Sequence, residues 1–124
     1  MNPKETALAA AKAADAKKAS DIVVLDINRL TTMGDYFVIC TGGSATQIKA
    51  IADEVERSLA EAGMPPLHIE GYSSASWILI DYGSVVVHIF HRDTRAFYAL
   101  ERLWADAARY DLAQFSQGSG ENNI

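Results

Sequence analysis

Hydrophobic positions recur along this chain with two different periods, and the switches between them divide it into elements. Residues 4–19 are rich in alanine and lysine with no breaker after Pro3. They predict a helix whose apolar stripe (Leu8, Ala11, Ala14) is thin, so it must lean on the rest of the fold. The β-branched run "DIVVLDI" (21–27) predicts a strand, and "NRLTTMGD" (28–35) a loop with turn residues at both ends. "YFVICT" (36–41) predicts a second strand, apolar throughout and therefore central. "GGS" (42–44) opens a second helix, with Ser44 as N-cap and Gln47 three residues later in a capping-box pattern. Ile48, Ile51, Ala52, Val55 and Leu59 share one helical face, with Asp53, Glu54, Glu56, Arg57 and Glu61 largely off it. Gly63 closes this helix and Pro65-Pro66 bars its continuation.

The remainder reads as strands and a last helix. "LHIEG" (67–71) is a third strand and "YSSAS" (72–76) a small polar loop; "WILIDYGSVVVHIF" (77–90) is a pair of strands joined by a tight turn. A final helix is expected from Asp93 or Thr94 to about Tyr110, with Phe97, Leu100, Trp104 and Ala107 on one face. Residues 111–124, ending "SQGSGENNI", are expected to form a disordered tail. The order is α-β-β-α-β-β-β-α. It predicts one α/β domain over residues 1–110: a single mixed β-sheet of about five strands with helices packed on its faces.

The strand pair carries the densest chemistry. With Tyr82-Gly83 as the central turn residues, Ile80 faces Val85, Leu79 faces Val86, Ile78 faces Val87 and Trp77 faces His88. One sheet face then holds Ile78, Ile80, Val85, Val87 and Ile89, which is pure core. The other holds Trp77, Leu79, Asp81, Ser84, Val86, His88 and Phe90, mixing large apolar groups with an acid, a hydroxyl and an imidazole. Such a face is either partly uncovered or functional. An aromatic residue beside an acid has the character of a protein-binding patch. Asp81 and His88 share the face but stand three to four residues apart along it, too far for a catalytic pair.

Charge narrows the partners. The 124 residues include 16 acidic and 11 basic ones, a formal net charge of −5, and no basic stripe. Little direct binding to RNA or DNA is expected, whereas a basic protein would be attracted. Composition is ordinary for a globular domain: 49% hydrophobic, 22% charged, mean hydropathy near zero. No apolar run approaches the ~20 residues of a membrane span. The N-terminus lacks the apolar core of a signal peptide, and the single cysteine, Cys40, lies in an apolar run as a buried thiol. A cytoplasmic location is expected.

Catalytic readings find little support. "TGGS" before a helix invites a phosphate, but it lacks the P-loop lysine and the spacing of a dinucleotide fingerprint. A nucleotidyltransferase-like enzyme, the alternative reading, would need paired carboxylates on the following strand, where Glu70 stands alone. Asp53, Glu54 and Glu56 fall inside the helix, mostly on its solvent side. His68, His88 and His91 have no metal-ligand spacing, and no Ser or Cys has a base marked beside it. No catalytic residue, cofactor or metal is expected.

The blocks "DYFVICTGGSATQIKAIADEV", "EGYSSASWILIDYGSVVVHIFH" and "RAFYALERLW" resemble the ribosomal silencing factor family, also called RsfS or Iojap-like. The resemblance runs from about residue 5 to 110. "HRDTR" before the last helix is less acidic than the family pattern, and no motif follows Tyr110. The resemblance implies a fold related to nucleotidyltransferases but lacking their catalytic carboxylates. It implies a binding module that attaches to the large ribosomal subunit through ribosomal protein L14, blocks subunit joining sterically and represses translation. It also implies a role of organellar relatives in large-subunit assembly, and homodimers in isolation. Carried onto this chain, it makes Trp77, Leu79, Asp81, Tyr82 and His88 partner-contact candidates, with Glu70 and Tyr98 added.

Overall fold

The computed structural model describes residues 1–121 apart from Met33 and Ala99, with side chains for all of these except 96–98 and 118–121. Its elements are α1 (Pro3–Ala16), β1 (Ser20–Asp26), β2 (Tyr36–Gly42), α2 (Ala45–Glu61), β3 (His68–Glu70), β4 (Trp77–Asp81) and β5 (Val85–His91). They are followed by α3 (Arg92–Tyr98), α4 (Leu100–Leu103), β6 (Ala108–Asp111) and α5 (Leu112–Glu121). One mixed sheet runs β3-β4-β5-β2-β1-β6, with β2 and β5 parallel and the other neighbours antiparallel. The expected α/β class holds, with six strands in place of about five.

Local signals set the helices. α1 starts in a capping box, where Asn2 Oδ1 accepts from the Glu5 N–H and Glu5 Oε1 accepts from the Asn2 N–H, with Pro3 in the first turn. Its buried residues are Thr6 and five alanines, Ala7, Ala10, Ala11, Ala13 and Ala14, a broader stripe of smaller groups than expected. Ser44 Oγ accepts from the Gln47 N–H and caps α2. The Gln47 side chain does not close the box on Ser44; it accepts from the Gly43 N–H and donates to the carbonyls of Lys17 and Lys18. Gln47 thereby ties the end of α1 to the start of α2.

The main core lies on one sheet face. Val24, Val38, Cys40, Ile78, Ile80, Val85, Val87 and Ile89 meet α1, α2 and Phe115 of α5 there. Apolar burial of this kind is the dominant stabilising term.

The C-terminal third departs from expectation. The chain is helical at Arg92–Tyr98 and Leu100–Leu103, then turns over Trp104–Asp106 and enters β6 in place of one helix to Tyr110. β6 covers the outer edge of β1, pairing Tyr110 with Val24 and Arg109 with Leu25, and so removes an exposed strand edge. Residues 112–121 form α5 where a disordered tail was expected. Asp111 Oδ1 accepts from the Gln114 N–H while Gln114 Oε1 accepts from the Asp111 N–H, a reciprocal cap. The helix buries Phe115, whose ring meets Tyr36 at 5.5 Å and Tyr110 at 5.8 Å. Residues 122–124 of the expected tail lie outside the described residues.

Candidate functional site: a half-covered sheet face

The second face of the sheet is organised in rows. One runs His68–Asp81–Val86–Phe37–Leu25 from β3 to β1, and the next Glu70–Leu79–His88–Ile39–Val23. A third runs Trp77–Phe90–Thr41. Towards β1 these rows are sealed: Val23, Leu25, Ile27, Phe37, Ile39 and Phe90 form a small second core under Leu100, Trp104 and Ala107. Among the described residues the cover stops towards β3. Leu79, Asp81, Val86 and Trp77 are half-buried, and His68 and Glu70 are exposed. His88, only 4% exposed, stands in the row where the sealed half meets the open half.

The cover has its own anchor. Arg95 forms a double ion pair with Glu101 (3.0 and 2.8 Å). Its Nη1 also donates to the Thr41 hydroxyl (2.8 Å) and to the Asp21 carbonyl (2.6 Å) at a bulge in β1. Arg109 reaches the same carboxylate at 2.9 Å. The Arg95 guanidinium, opposed by partial burial and helped by Arg109, holds the Glu101 carboxyl below its ordinary range. This strut pins the α3–α4 segment to the ends of β1 and β2, which fixes how far the cover extends.

The hairpin register differs from the expected one by two residues. Trp77 pairs with Phe90, Leu79 with His88 and Asp81 with Val86. A shift of one would have exchanged the faces; a shift of two leaves every side chain on its expected face. The turn explains the shift. Tyr82 N–H donates to the Val85 carbonyl and Ser84 N–H to the Tyr82 carbonyl, so the chain reverses one residue later than expected, around Gly83. Gly83 takes φ +86°, and Asp81 Oδ1 accepts its N–H at 2.7 Å. Asp81 therefore holds its own turn.

Trp77 and His88 remain coupled across the diagonal. The indole Nε1–H donates to His88 Nδ1 at 3.1 Å, and the Trp77 ring stacks on Phe90 at 4.9 Å. Since an indole only donates, Nδ1 must be the acceptor, which assigns the neutral Nε2–H tautomer. Nε2 is buried with no hydrogen-bond partner among the described residues. Burial pushes the His88 pKa down to about 4, so the ring is neutral at physiological pH. Phe37, brought in by the parallel β2–β5 pairing, meets the imidazole edge-on at 4.8 Å.

The face thus gathers five of the seven candidates: Glu70, Trp77, Leu79, Asp81 and His88. Tyr82 is placed elsewhere. It belongs to the main core, 5% exposed, and burial raises its hydroxyl to about 12. Its odd offset from Asp81 puts it on the opposite sheet face, so a partner on the open face does not meet it. The Tyr98 side chain lies outside the described residues, as does that of Phe97. His68, which showed no metal spacing, belongs to the open face and pairs with Glu70 at 3.0 Å. Its place follows from i, i+2 alternation in β3 and was available from the sequence.

Chemically the face suits contact. The one acceptor of neutral His88 is occupied by Trp77, and Asp81 lies a diagonal away, two residues or about 7 Å along the strand from His88. On α2, Glu54 is engaged by Arg57 and Asp53 accepts from the Tyr72 hydroxyl. Among the described residues no group of three or more His, Cys, Asp or Glu could hold a metal ion. Cys40 is fully buried, and burial pushes its thiol up to about 12. No helix among the described residues is long and apolar enough to cross a membrane.

Comparison with known proteins fits this architecture. A family model described as ribosomal silencing factor during starvation matches residues 1–123. The chain is 46% identical over 112 residues to a ribosomal silencing factor of Bacillus subtilis, covering 90% of this chain and 95% of that protein. It is 40% identical over 106 residues to the chloroplastic protein Iojap of Zea mays, covering 86% of this chain and 46% of the relative. A crystal structure of a Chromobacterium violaceum protein matches with a TM-score of 0.83 at 37% identity, over 85% of this chain and 88% of that one.

Proposed function

The chain belongs to the ribosomal silencing factor family, whose role is ribosome-associated regulation, and from that premise we propose that the half-covered sheet face docks on ribosomal protein L14 of the large subunit. Docked there, the domain blocks association of the small subunit by its bulk and represses translation, without catalysis. The same attachment serves subunit assembly when the partner subunit is still immature. The proposal places the protein in the cytoplasm, with free chains pairing as homodimers.

The observation that carries this reading is the open end of the rows. Leu79 and Trp77 present apolar area beside Glu70 and Asp81, on a domain of net charge −5. Apolar anchors ringed by acids suit a basic protein surface and repel bare phosphate. Leu79 and Trp77 supply buried area, Asp81 and Glu70 supply charge complementarity, and His88 supports them from beneath.

The test is subunit joining. Purified large and small subunits are mixed with the protein and separated on a sucrose gradient. The proposal expects the joined particle to decrease in proportion to added protein, with the protein migrating on the large subunit. Undiminished joining at saturating protein contradicts it.

A further inference from the structure

We propose that His88 is the positioning residue of the docking face: its Nδ1 holds the Trp77 indole in the orientation a partner meets and satisfies the indole N–H in advance. This inference rests on the docking reading above and assigns a task to a residue that a partner cannot touch.

Three observations support it. His88 is 4% exposed and its Nε2 is buried without a partner among the described residues, so a polar ring here is costlier to bury than an apolar one of the same size. Its surroundings are apolar and aromatic: Phe37 at 4.8 Å, Phe90 at 6.1 Å, with Ile39 and Leu79 beside it in the row. The polar contact it makes in this environment is to Trp77, at 3.1 Å.

A half-exposed indole that becomes covered must find a partner for its N–H or lose a hydrogen bond to water. His88 removes that cost before docking. Stacking on Phe90 and the bond to His88 together constrain both side-chain torsions of Trp77, so little rotamer freedom is lost on binding. The partner then meets an indole whose N–H is already satisfied. The neighbouring Asp81 and Glu70 favour an aliphatic stem with a cationic head laid across it, the side chain of a lysine or arginine.

Two His88 variants separate positioning from packing. His88→Phe keeps the ring and removes both the acceptor and the unpartnered Nε2–H. His88→Asn keeps an acceptor oxygen close to the Nδ1 position but leaves a void. Stability should therefore follow Phe at or above the natural residue, with Asn below. Affinity for purified large subunits should follow the opposite order: Asn close to the natural chain, and Phe weaker by about tenfold. A purely structural role would make affinity track stability, and that result overturns the inference. If His88→Phe does not fold, hydrogen exchange of the indole N–H groups in the natural chain decides. Trp77 protected well beyond Trp104, assigned through Trp104→Phe, supports the inference; equal exchange overturns it. Trp77→Ala separates the two proposals. If it binds as the natural chain does, the docking reading fails and this inference falls with it. If it binds weakly while His88→Phe does not, this inference alone fails.

Discussion

The indole of Trp77 on β4 donates to Nδ1 of His88 on β5 across 3.1 Å, although Leu79 and Phe90 are the residues directly opposite these two. The bond is a diagonal one, within reach because both side chains stand on the same sheet face. It joins the open part of that face to the sealed part under Trp104 and Leu100.

Acid should weaken the fold through His88. Its native pKa is about 4, below the ordinary 6.5, so the unfolded chain takes up a proton before the native one does. Stability is unaffected above about pH 6.5 and falls as pH drops from there towards 4, by about 3 kcal/mol at the limit. Urea unfolding at several pH values reads this directly. His88→Phe should flatten that part of the profile; an unchanged slope contradicts the assignment.

Arg95→Met should destabilise the domain by about 1–3 kcal/mol, because Thr41, the Asp21 carbonyl and Glu101 all lose a donor. The loss should be accompanied by faster hydrogen exchange over residues 100–107, since the strut holds that segment on the sheet. Equal stability would show that the strut is ornamental.

Phe115→Ala should cost about 3 kcal/mol, the range for emptying an aromatic core position. Thermal melting of this variant, and of a chain ended after Tyr110, tests whether α5 belongs to the fold. Unchanged melting of both would return residues 111–121 to the status of a tail.

Gly71→Ala should disrupt the approach to β4. The glycine takes φ +81°, and an added Cβ would lie 2.1 Å from the Trp77 carbonyl oxygen. Something must shift in the backbone that carries Trp77, so stability should fall and large-subunit affinity with it. A variant that binds and melts as the natural chain does would contradict the placement of this loop.

Much of this was legible in the sequence because it rests on local or alternating signals. The period-2 pattern of β4 and β5 assigned every side chain to its face even with the register wrong by two, since the error was even. The turn itself is less legible: "DYGS" suggests Tyr82-Gly83 as the central pair, whereas the Asp81 side chain draws the reversal around Gly83. The cover over half the face depends on parallel β2–β5 pairing and on Arg95, contacts distant in sequence that no window reveals. α5 was different. The Asp111–Gln114 capping pattern and the apolar Leu112 and Phe115 stood in the sequence, hidden by the low-complexity residues that follow them.

Co-sedimentation of Leu79→Lys with purified large ribosomal subunits probes docking through the open face itself. Leu79 is half-buried, lies at the centre of the open rows and makes no hydrogen bond through its side chain, so the substitution should leave melting nearly unchanged. It puts a positive charge and a polar head where docking requires apolar contact with a basic protein. Docking through this face predicts that the natural chain co-sediments and that Leu79→Lys is weakened at least about tenfold. Equal co-sedimentation of the two, at equal stability, would contradict it.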